Sequence, residues 1–487
     1  MSSIIIKKYA PLFLIIILIG IFYISTIREG HNWDGDFSMY ILHAKNITER
    51  APYATTPYIF NPEYASLGPE SYPVIFPLIL APVYKFAGIN LRLMKIEIVI
   101  FFLLFLMVLY FILIDRVCTY PYIIAIIGSI GLNPFFWDFK DNVLSEIPFI
   151  FFLYLGFFLI NRWKRHYYSG ITREKKLMYA IITGIVISLA YGTRGIGVLL
   201  LVLLFYEAMR SKRFKLAIIS AILFIFFMIL QNLFAHKDTV YLKEFSISPR
   251  LIVSHLYWYI KGMPALWDNG YIKILRDMLF LVFSILSITG YLLAIRKEMG
   301  ILELFPLLYA GCILIWPAFC GIRFFIPLMP LYIYYGFEGL RFYEERTGIR
   351  IYLPILLSII LVSYIAKYTT MDFGPIREGV SNIETIKLFN FIKENTNPDD
   401  VFIYKRPRIL ALYTGRKASA YHRPKDDRAL LDYFYRIKAR YAIVGKPFEN
   451  GEGIDKDYLN LFISAHKDNF EEIYSNNDFK VYRIKTK

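Results

Sequence analysis

Near the N-terminus, directly after an apolar run, the stretch "HNWDGDFSMYILHA" carries two carboxylates, Asp34 and Asp36. A carboxylate can act as a general base. Asp36, Tyr40 and Ala44 recur every four residues, so a helix over residues 36–50 would place them on one face. That helix is predicted to be amphipathic, to lie along the membrane surface and to hold Asp36 at its N-terminus, where the helix dipole favours negative charge. The alternative is that the two aspartates only cap the helix.

Three further charged residues stand within or beside apolar segments: Glu146 in "NVLSEIPFIFF", Arg194 in "AYGTRGIGVLL" and Arg323 in "FCGIRFFIPLMP". A charge at bilayer depth costs at least ~2.5 to 3.5 kcal/mol on insertion scales, so each residue needs a partner, water or a ligand. Taken singly, each is explained equally well by a structural ion pair or by a side chain that reaches the membrane surface.

Together, acids and arginines fit one kind of reaction. A base deprotonates a hydroxyl or amine acceptor while cations hold a phosphate leaving group. This combination indicates glycosyl transfer from a phosphate-activated donor, and the apolar setting indicates that the donor is a lipid.

The composition places these residues in a membrane protein. Of the 487 residues, 57% are hydrophobic and 19% are charged, and the mean hydropathy is +0.46, which excludes an ordinary soluble protein. The run from Tyr9 to Ile27 carries no charge and is long enough to cross a bilayer core roughly 30 Å thick. It is predicted to be a retained transmembrane helix, because the alternative, a cleaved signal peptide, lacks a small-residue cleavage site after Ile27.

Cysteine content and net charge narrow the function classes. Cys118, Cys312 and Cys320 lie in or beside apolar segments and form neither a disulfide framework nor a paired-cysteine metal motif. The net charge of +16 is attributed to membrane topology and to contact with lipid headgroups, so nucleic acid is not an expected partner.

Further apolar runs follow the first helix, at residues 72–89, 94–114, 121–136, 143–160, 177–191, 196–208, 216–234, 277–295, 301–317, 323–340 and 351–368. The positive-inside rule places the basic clusters on the cytoplasmic side, namely those at 7–8, 92–95, 162–176, 210–215, 296–297 and 341–350. This orientation predicts a cytoplasmic N-terminus and three outward regions: the loop 28–71, the loop 235–275 and the C-terminal domain.

Residues 121–136 do not fit this alternation as a full crossing, because the basic cluster at 162–176 would then lie outside. The segment is predicted to be re-entrant or a short broken pair of helices, with the break near Asn133 and Pro134. A break at membrane depth is tolerated where the backbone is buried or lines a cavity. This leaves about eleven full crossings, in a transmembrane domain over residues 1–370.

From about Met371 the sequence becomes polar and mixed in charge, so residues 371–487 are predicted to form a separate extracytoplasmic α/β domain. The spacing of apolar residues predicts helices at 379–396, 426–438 and 455–467, a short helix before a turn at 414–416, and strands at 401–404, 441–444 and 480–484.

Four segments carry a family resemblance: "DFSMYILHA", "SEIPFIFF", "YGTRGIG" and "GIRFFIPLMPLYIYY". In this order, and with an α/β tail, they resemble the GT-C superfamily of polytopic glycosyltransferases, close to the protein O-mannosyltransferase and aminoarabinose-transferase branch. The resemblance implies a fold with about 11 to 13 transmembrane helices. It also implies transfer of a sugar from a polyprenyl-phosphate donor to a lipid, glycan or protein acceptor, on the outer face of the cell membrane.

The resemblance also implies residue roles. Asp36, Tyr40 and Ala44 match the branch's D-E-x-x-Y motif followed by a small residue, which makes Asp36 the base or acceptor-positioning carboxylate and associates Tyr40 with the substrate. Phe37 stands where a second acid is usual, and Asp34 is the candidate to replace it.

Three residues outside the first loop complete the implied site. Glu146 resembles the acidic residue of a later outer loop and is expected to support the base. Arg194 and Arg323 resemble basic residues of the branch and are the candidates to hold the donor phosphate.

Metal use stays open at this point. Some GT-C enzymes with diphosphate-linked donors use a divalent ion, whereas users of phosphate-linked monosaccharides generally do not. His31, Asp34 and Asp36 are the candidate ligands, since imidazole and carboxylates suit several ions. No other cofactor is expected.

Two other functions compete with a glycosyltransferase of this branch. A lipid or polysaccharide transporter or flippase commonly has paired halves, and no repeat is visible in this sequence. An O-antigen ligase or polymerase would lack the acidic motif of the first loop.

Overall fold

The structure is a computed structural model that describes residues 2–117, 119–168, 172–212, 214–235, 248–317, 319, 321–423, 427–445 and 458–485. Cys118 and Cys320 lie outside the described residues. Cys312 is a free thiol and is partly exposed.

The helices follow in chain order. They are α1 (Ser2–Ser25), α2 (Asp36–Glu49), α3 (Ile75–Ala87), α4 (Leu91–Ile114), α5 (Tyr120–Gly131), α6 (Pro134–Phe139), α7 (Glu146–Tyr168), α8 (Arg173–Thr193), α9 (Leu199–Ser211), α10 (Phe214–Ala235), α11 (Pro249–Gly262), α12 (Lys273–Lys297), α13 (Ile301–Leu314), α14 (Met329–Thr347), α15 (Tyr352–Thr370), α16 (Ile383–Asn395), α17 (Pro407–Thr414), α18 (Asp427–Arg436) and α19 (Tyr458–Ala465). The strands are β1 (Tyr58–Ile59), β2 (Val401–Ile403), β3 (Lys417–Ser419), β4 (Ala439–Gly445), β5 (Phe470–Ser475) and β6 (Phe479–Ile484).

The described residues form two compact units. Unit 1 is drawn from Met1–Ile27, Leu93–Leu233 and Tyr241–Phe373, and unit 2 from Arg28–Arg92, Phe234–Val240 and Gly374–Lys487. Unit 2 therefore combines the polar C-terminal region with the first loop, which the sequence assigned to the transmembrane domain.

Unit 1 is helical and apolar. In the part of the chain that the structure describes, five helices are long and apolar enough to cross a membrane: α4, α8, α10, α12 and α15. Shorter apolar helical segments occur at Pro11–Ser25, Tyr120–Gly131 and Ile301–Leu314 in the same unit. The predicted polytopic helical membrane fold is confirmed.

The broken helix predicted near Asn133 is present between α5 and α6. Asn133 Oδ1 accepts a hydrogen bond from the Phe135 N–H (2.9 Å), which caps α6. Its Nδ2 donates to the Tyr364 hydroxyl (2.6 Å) and to the Leu266 carbonyl (3.2 Å). The break is stable because this one amide satisfies polar groups that lie away from water.

Residues 72–89, predicted to cross the membrane, instead contain α3. This helix has 13 residues and is about 20 Å long, which is shorter than a bilayer core. It belongs to unit 2 and packs against α2, with Phe76 and Leu80 fully buried. The predicted crossing is not among the helices long enough to span a membrane, and protein covers one side of α3 while Leu78 and Phe86 are exposed.

Helix α2 begins at Asp36, as predicted, but it is not amphipathic. All residues from Phe37 to Ala44 are buried, because α3 and α17 pack against the helix within unit 2. The predicted position along the membrane surface needs an exposed apolar side, and this helix has none.

Unit 2 contains a six-stranded sheet in the order β1-β3-β2-β4-β6-β5. Strands β1, β3, β2 and β4 are parallel, and β6 pairs antiparallel with both β4 and β5. Tyr58 and Phe402 both pair with Ala418 of the central β3 strand, and Ile443 pairs with Val481. Helices α18 and α19 pack on the sheet face that carries Val401.

The C-terminal part of unit 2 matches the predicted order of helices and strands, except that residues 455–457 lie outside the described residues. Strands β1, β3 and β5 were not predicted. The two-residue strand β1 comes from the first loop, and its position is supported by side chains: Asn61 Nδ2 donates to the Ala420 carbonyl (2.9 Å) and Ser419 Oγ to the Ile59 carbonyl (2.9 Å).

Helices α12 and α14 approach each other closely at glycines. A Cβ atom at Gly290 would lie 2.0 Å from the Tyr335 carbonyl oxygen, and one at Gly339 would lie 2.0 Å from the Leu286 carbonyl oxygen. Small residues allow this contact between backbones, a common feature of helix packing in membranes.

Gly339→Ala is expected to destabilise the protein by about 1 to 3 kcal/mol, because α12 and α14 must separate to admit the methyl group. The measurement is the thermal unfolding midpoint of the purified protein in detergent. Gly311→Ala is the matched control, since no atom lies within 4 Å of a Cβ there. Equal midpoints for the two variants would contradict the close packing.

Candidate functional site

Asp36 is held by a tyrosine and an arginine from distant parts of unit 2. The Tyr72 hydroxyl donates to Asp36 Oδ1 (2.7 Å), and Arg408 Nη1 lies 3.2 Å from the same oxygen. Arg408 Nη1 also donates to the Tyr72 hydroxyl (3.0 Å), and its Nη2 donates to the Pro69 carbonyl (3.1 Å). Hydrogen bonds from these donors favour an ionised, oriented carboxylate.

The capping hypothesis for the two aspartates does not describe this arrangement. The N-cap residue of α2 is Gly35, which has no side chain to accept a hydrogen bond. Asp36 is the first helical residue, and its carboxylate contacts Tyr72 and Arg408. Its position in the first turn also benefits from the helix dipole.

Arg408 was not identified from the sequence. It follows Pro407 at the start of α17, just beyond the carboxyl end of β2, and it is fully buried. The available signal was an arginine within "RPRILALYT", where the neighbouring residues are apolar. Such a charge inside an apolar helix needs a partner, and the sequence did not show which one.

His43 connects the Asp36 helix to Tyr72. The Tyr72 N–H donates to His43 Nε2 (3.3 Å), and His43 Nδ1 lies 3.0 Å from the Tyr53 carbonyl. The Tyr53 hydroxyl in turn donates to the Tyr72 carbonyl (2.8 Å). Burial lowers the pKa of His43 to about 4, with a smaller contribution from the charge of Arg408, so this side chain is neutral at pH 7.

The other predicted residues of the first loop lie near this network. Tyr40 is buried, and its ring centroid lies 4.7 Å from that of Tyr72 and 4.8 Å from that of Phe76. The Asp34 N–H donates to Asn32 Oδ1 (3.1 Å), which shapes the turn before α2.

The predicted metal ligands do not form a cluster that fits a metal ion. His31 is buried with its ring stacked on Phe37 at 3.8 Å between centroids. Asp36 instead contacts a permanent cation, Arg408. Among the described residues, no group of three or more His, Cys, Asp or Glu side chains is arranged to hold a metal ion.

Unit 1 brings together the other three predicted site residues. Arg194 Nη1 lies 2.8 Å from Glu146 Oε1, and Arg323 Nε lies 3.8 Å from the same oxygen. Arg194 also donates to Ser145 Oγ (3.2 Å). Both guanidinium groups lie near the Phe324 ring, at 5.1 Å and 5.8 Å from its centroid. One buried carboxylate thus faces two partly exposed arginines.

A second buried group of charges lies on the same chain segment as Glu146. Lys140 Nζ lies 2.8 Å from Asp141, and Lys95 Nζ lies 3.8 Å from it. Lys95 is in the first turns of α4, so this end of α4 lies at the end of unit 1 that carries Glu146. Lys95, which was predicted to lie on the opposite membrane side from Glu146, is therefore at the same end of unit 1 as Glu146.

The opposite end of α4 lies beside a polar cavity of about 850 Å³. Arg116 forms an ion pair with Glu303 at 2.5 Å, and Arg210, Lys297 and Arg341 line the same cavity. Arg210, Lys297 and Arg341, which the sequence grouped on one membrane side, therefore meet at one end of unit 1.

Comparisons with protein-family models and with curated protein sequences give no match. The structure is similar to solved structures. ArnT from Cupriavidus metallidurans in the apo state superposes with a TM-score of 0.63 at 10% identity, covering 98% of each chain, and ArnT bound to undecaprenyl phosphate gives 0.57 with the same identity and coverage.

The archaeal oligosaccharyltransferase AglB from Archaeoglobus fulgidus, in complex with an inhibitory peptide and a dolichol-phosphate, gives a TM-score of 0.57 at 14% identity. The match covers 91% of this chain and 70% of that one. The A. fulgidus oligosaccharyltransferase in complex with zinc and sulfate gives 0.57 at 14% identity, covering 96% and 72%. This chain has the same fold as these proteins. The fold expected from the sequence resemblance is thereby confirmed.

His43→Gln is expected to reduce the loss of stability in acid. The wild-type folded state keeps His43 neutral down to a pKa of about 4, whereas an unfolded histidine binds a proton below about 6.5. Stability is therefore lost as the pH falls from about 6.5 to 4, by up to about 3 kcal/mol. The measurement is the thermal unfolding midpoint at pH 7.5 and pH 5.

The exposed His422 of the same unit provides the control. His422→Gln should retain the wild-type difference between the two midpoints, and His43→Gln should show a smaller one. An unchanged difference in His43→Gln would mean that other groups determine the acid sensitivity.

Proposed function

We propose that this protein is a membrane glycosyltransferase that transfers a sugar from a polyprenyl-phosphate donor to a lipid, glycan or protein acceptor. The observation that carries the proposal is the Asp36 carboxylate, bound by Arg408 and Tyr72 at the start of α2 in a GT-C fold. The undecaprenyl phosphate bound to ArnT and the dolichol-phosphate bound to AglB support the donor class.

In the proposed reaction Asp36 is the base. It accepts the proton of an acceptor hydroxyl or amine while that atom forms a bond to the anomeric carbon of the sugar. The bond between the anomeric carbon and the phosphate oxygen breaks, and polyprenyl phosphate leaves with the electron pair. Asp34 is the supporting acid of the same loop.

Arg194 and Arg323 are proposed to hold the donor phosphate. Guanidinium groups match phosphate geometry and stay charged, and these two share one carboxylate, Glu146. Glu146 is proposed to orient the arginines and Tyr40 to contact the substrate. Zinc is bound in a structure of the A. fulgidus oligosaccharyltransferase. The reaction proposed for this chain uses no metal ion.

We infer that the N-terminus is cytoplasmic and that unit 2 and the Glu146 end of unit 1 are extracytoplasmic. The basic residues around the polar cavity support this orientation through the positive-inside rule. In this orientation α3 does not cross the membrane. Two crossings then lie between the first loop and α7: α4 makes the first, and the broken pair α5 and α6 makes the second. The cluster at 162–176 then remains cytoplasmic.

Asp36→Asn is expected to reduce transfer by about 10²- to 10⁴-fold, because an amide keeps the shape of the side chain but cannot accept the proton. The assay incubates the protein in nanodiscs with polyprenyl-phosphate sugars and follows release of free polyprenyl phosphate. Asp400→Asn is the control, since Asp400 is a buried carboxylate of the same unit that pairs with Arg440. Transfer at the wild-type rate in Asp36→Asn would refute the role of base.

Arg323→Lys is expected to raise the donor KM about tenfold, since loss of a charge-assisted hydrogen bond costs about 1.5 to 3 kcal/mol. Arg276→Lys is the matched control, because Arg276 belongs to the same unit, is similarly exposed and pairs only with its neighbour Asp277 among the ion pairs described. A donor KM that is the same in both variants would assign Arg323 a structural role.

A further inference from the structure

The C-terminal part of unit 2 reaches the Asp36 carboxylate through one residue, Arg408. The side chain is about 1% exposed, and its guanidinium has three oxygen partners: Asp36 Oδ1, the Tyr72 hydroxyl and the Pro69 carbonyl. The guanidinium carbon also lies 4.9 Å from the centroid of the Tyr58 ring. A cation this deeply buried is stable only when its partners are fixed.

The first loop is shaped around this guanidinium. Gly68 has a φ of +117°, and a Cβ atom there would lie 2.7 Å from Arg408 Nη2 and 3.0 Å from Nη1. A side chain at this position would therefore be strained and would also collide with the guanidinium. The stem of Arg408 passes Gly35, where a Cβ would lie 3.6 Å from Cδ. The segment at Gly68 thus leaves room for the guanidinium, whereas the contact at Gly35 is an ordinary van der Waals distance.

The position of Arg408 relative to the sheet also supports a role at a ligand site. It lies at the start of the helix that follows β2, a strand whose neighbours β3 and β4 are both parallel to it. Open sheets of parallel strands bind ligands beyond the carboxyl ends of their strands. The edge at which sheets of this kind bind ligands is therefore the edge from which Arg408 contacts Asp36 of the first loop.

We propose that Arg408 is a positioning residue for the base: it keeps the Asp36 carboxylate ionised and fixes its Oδ1 atom, so that the C-terminal region controls proton transfer. This inference rests on the proposed role of Asp36. Tyr72 completes the arrangement, since its hydroxyl donates to Asp36 and accepts from Arg408. His43, the titratable group bonded to the Tyr72 backbone, is neutral and adds no charge.

An arginine suits this role better than a lysine. Two of its nitrogens bind three oxygens, and a single ammonium group cannot reproduce the fixed, planar arrangement of these donors. Charge and geometry can therefore be tested separately. Arg408→Gln removes the charge and keeps an amide donor, and Arg408→Lys keeps the charge and removes the planar geometry.

The first experiment measures the pH dependence of donor turnover in nanodiscs. Arg408→Gln is expected to move the acid limb of kcat to higher pH by about one unit or more, because a nearby opposite charge favours the ionised carboxylate by that amount. Arg408→Lys is expected to lower kcat at least tenfold while the acid limb stays in place. Wild-type pH profiles and wild-type kcat in both variants would overturn the proposal.

Arg416 provides the matched control. It lies just beyond the other end of α17 and donates to the Thr396 side chain and to the carbonyls of Lys393 and Thr396, so it supports unit 2 without contact to Asp36. Arg416→Gln should leave the pH profile unchanged. If Arg408→Gln does not fold, Tyr72→Phe is used with Arg408→Lys, and wild-type kcat in both would equally overturn the proposal.

A second readout separates this proposal from the proposed function. The protonation of Asp36 is followed by infrared difference spectroscopy, with Asp36→Asn defining the carboxyl signal. Arg408→Gln should raise the midpoint of this titration relative to wild type and Arg408→Lys should not. That shift in a protein that turns over no donor would keep the role of Arg408 and reject the transferase. Donor turnover by the wild type together with an unshifted midpoint in Arg408→Gln would keep the transferase and reject the role of Arg408.

Discussion

The structure depends on the cost of placing a charge in an apolar environment. Several buried ionisable residues within the apolar part of the chain occur in groups that combine opposite charges, namely Glu146 with its two arginines and Asp141 with Lys95 and Lys140. The cost of an isolated charge at such depth is several kcal/mol, which forces residues far apart in sequence to meet. These pairings bring together the residues proposed to act in the reaction.

The same constraint explains the composition of unit 2. Arg408 is buried and charged, and it can remain so only if an anion is supplied by the first loop. The loop contributes Asp36 for this purpose, and it also adds strand β1 to the edge of the C-terminal sheet. A polar C-terminal region and a loop more than 300 residues earlier thus fold as one unit.

The two groups of charges have different chemical character. Asp36 has an arginine and a hydroxyl as donors, which suits a carboxylate that must stay ionised in order to accept a proton. Glu146 lies beside two arginines, whose guanidinium groups match the geometry of a phosphate. Proton transfer and departure of a phosphate are the two events of glycosyl transfer from a phosphate donor.

The sequence by itself determined the local features. Uncharged runs define the apolar helices, Asp36 begins its helix as the spacing predicts, and the break near Asn133 follows from its amide and the adjacent proline. The C-terminal helices and strands β2, β4 and β6 were also predictable, because each depends on a periodicity within about ten residues. The motifs around Glu146, Arg194 and Arg323 identified residues that do meet in unit 1.

Only the tertiary structure decided which surfaces are covered and which distant charges pair. The apolar face of α3 has the same sequence whether it contacts lipid or α2. The sequence of this segment alone therefore could not show that it packs against α2. The two residues of β1 carry no periodicity, and their strand exists only because β3 lies beside them. Arg408 likewise shows no motif. Its partner lies 372 positions away, and the energy that selects Asp36 appears only after burial removes water from both.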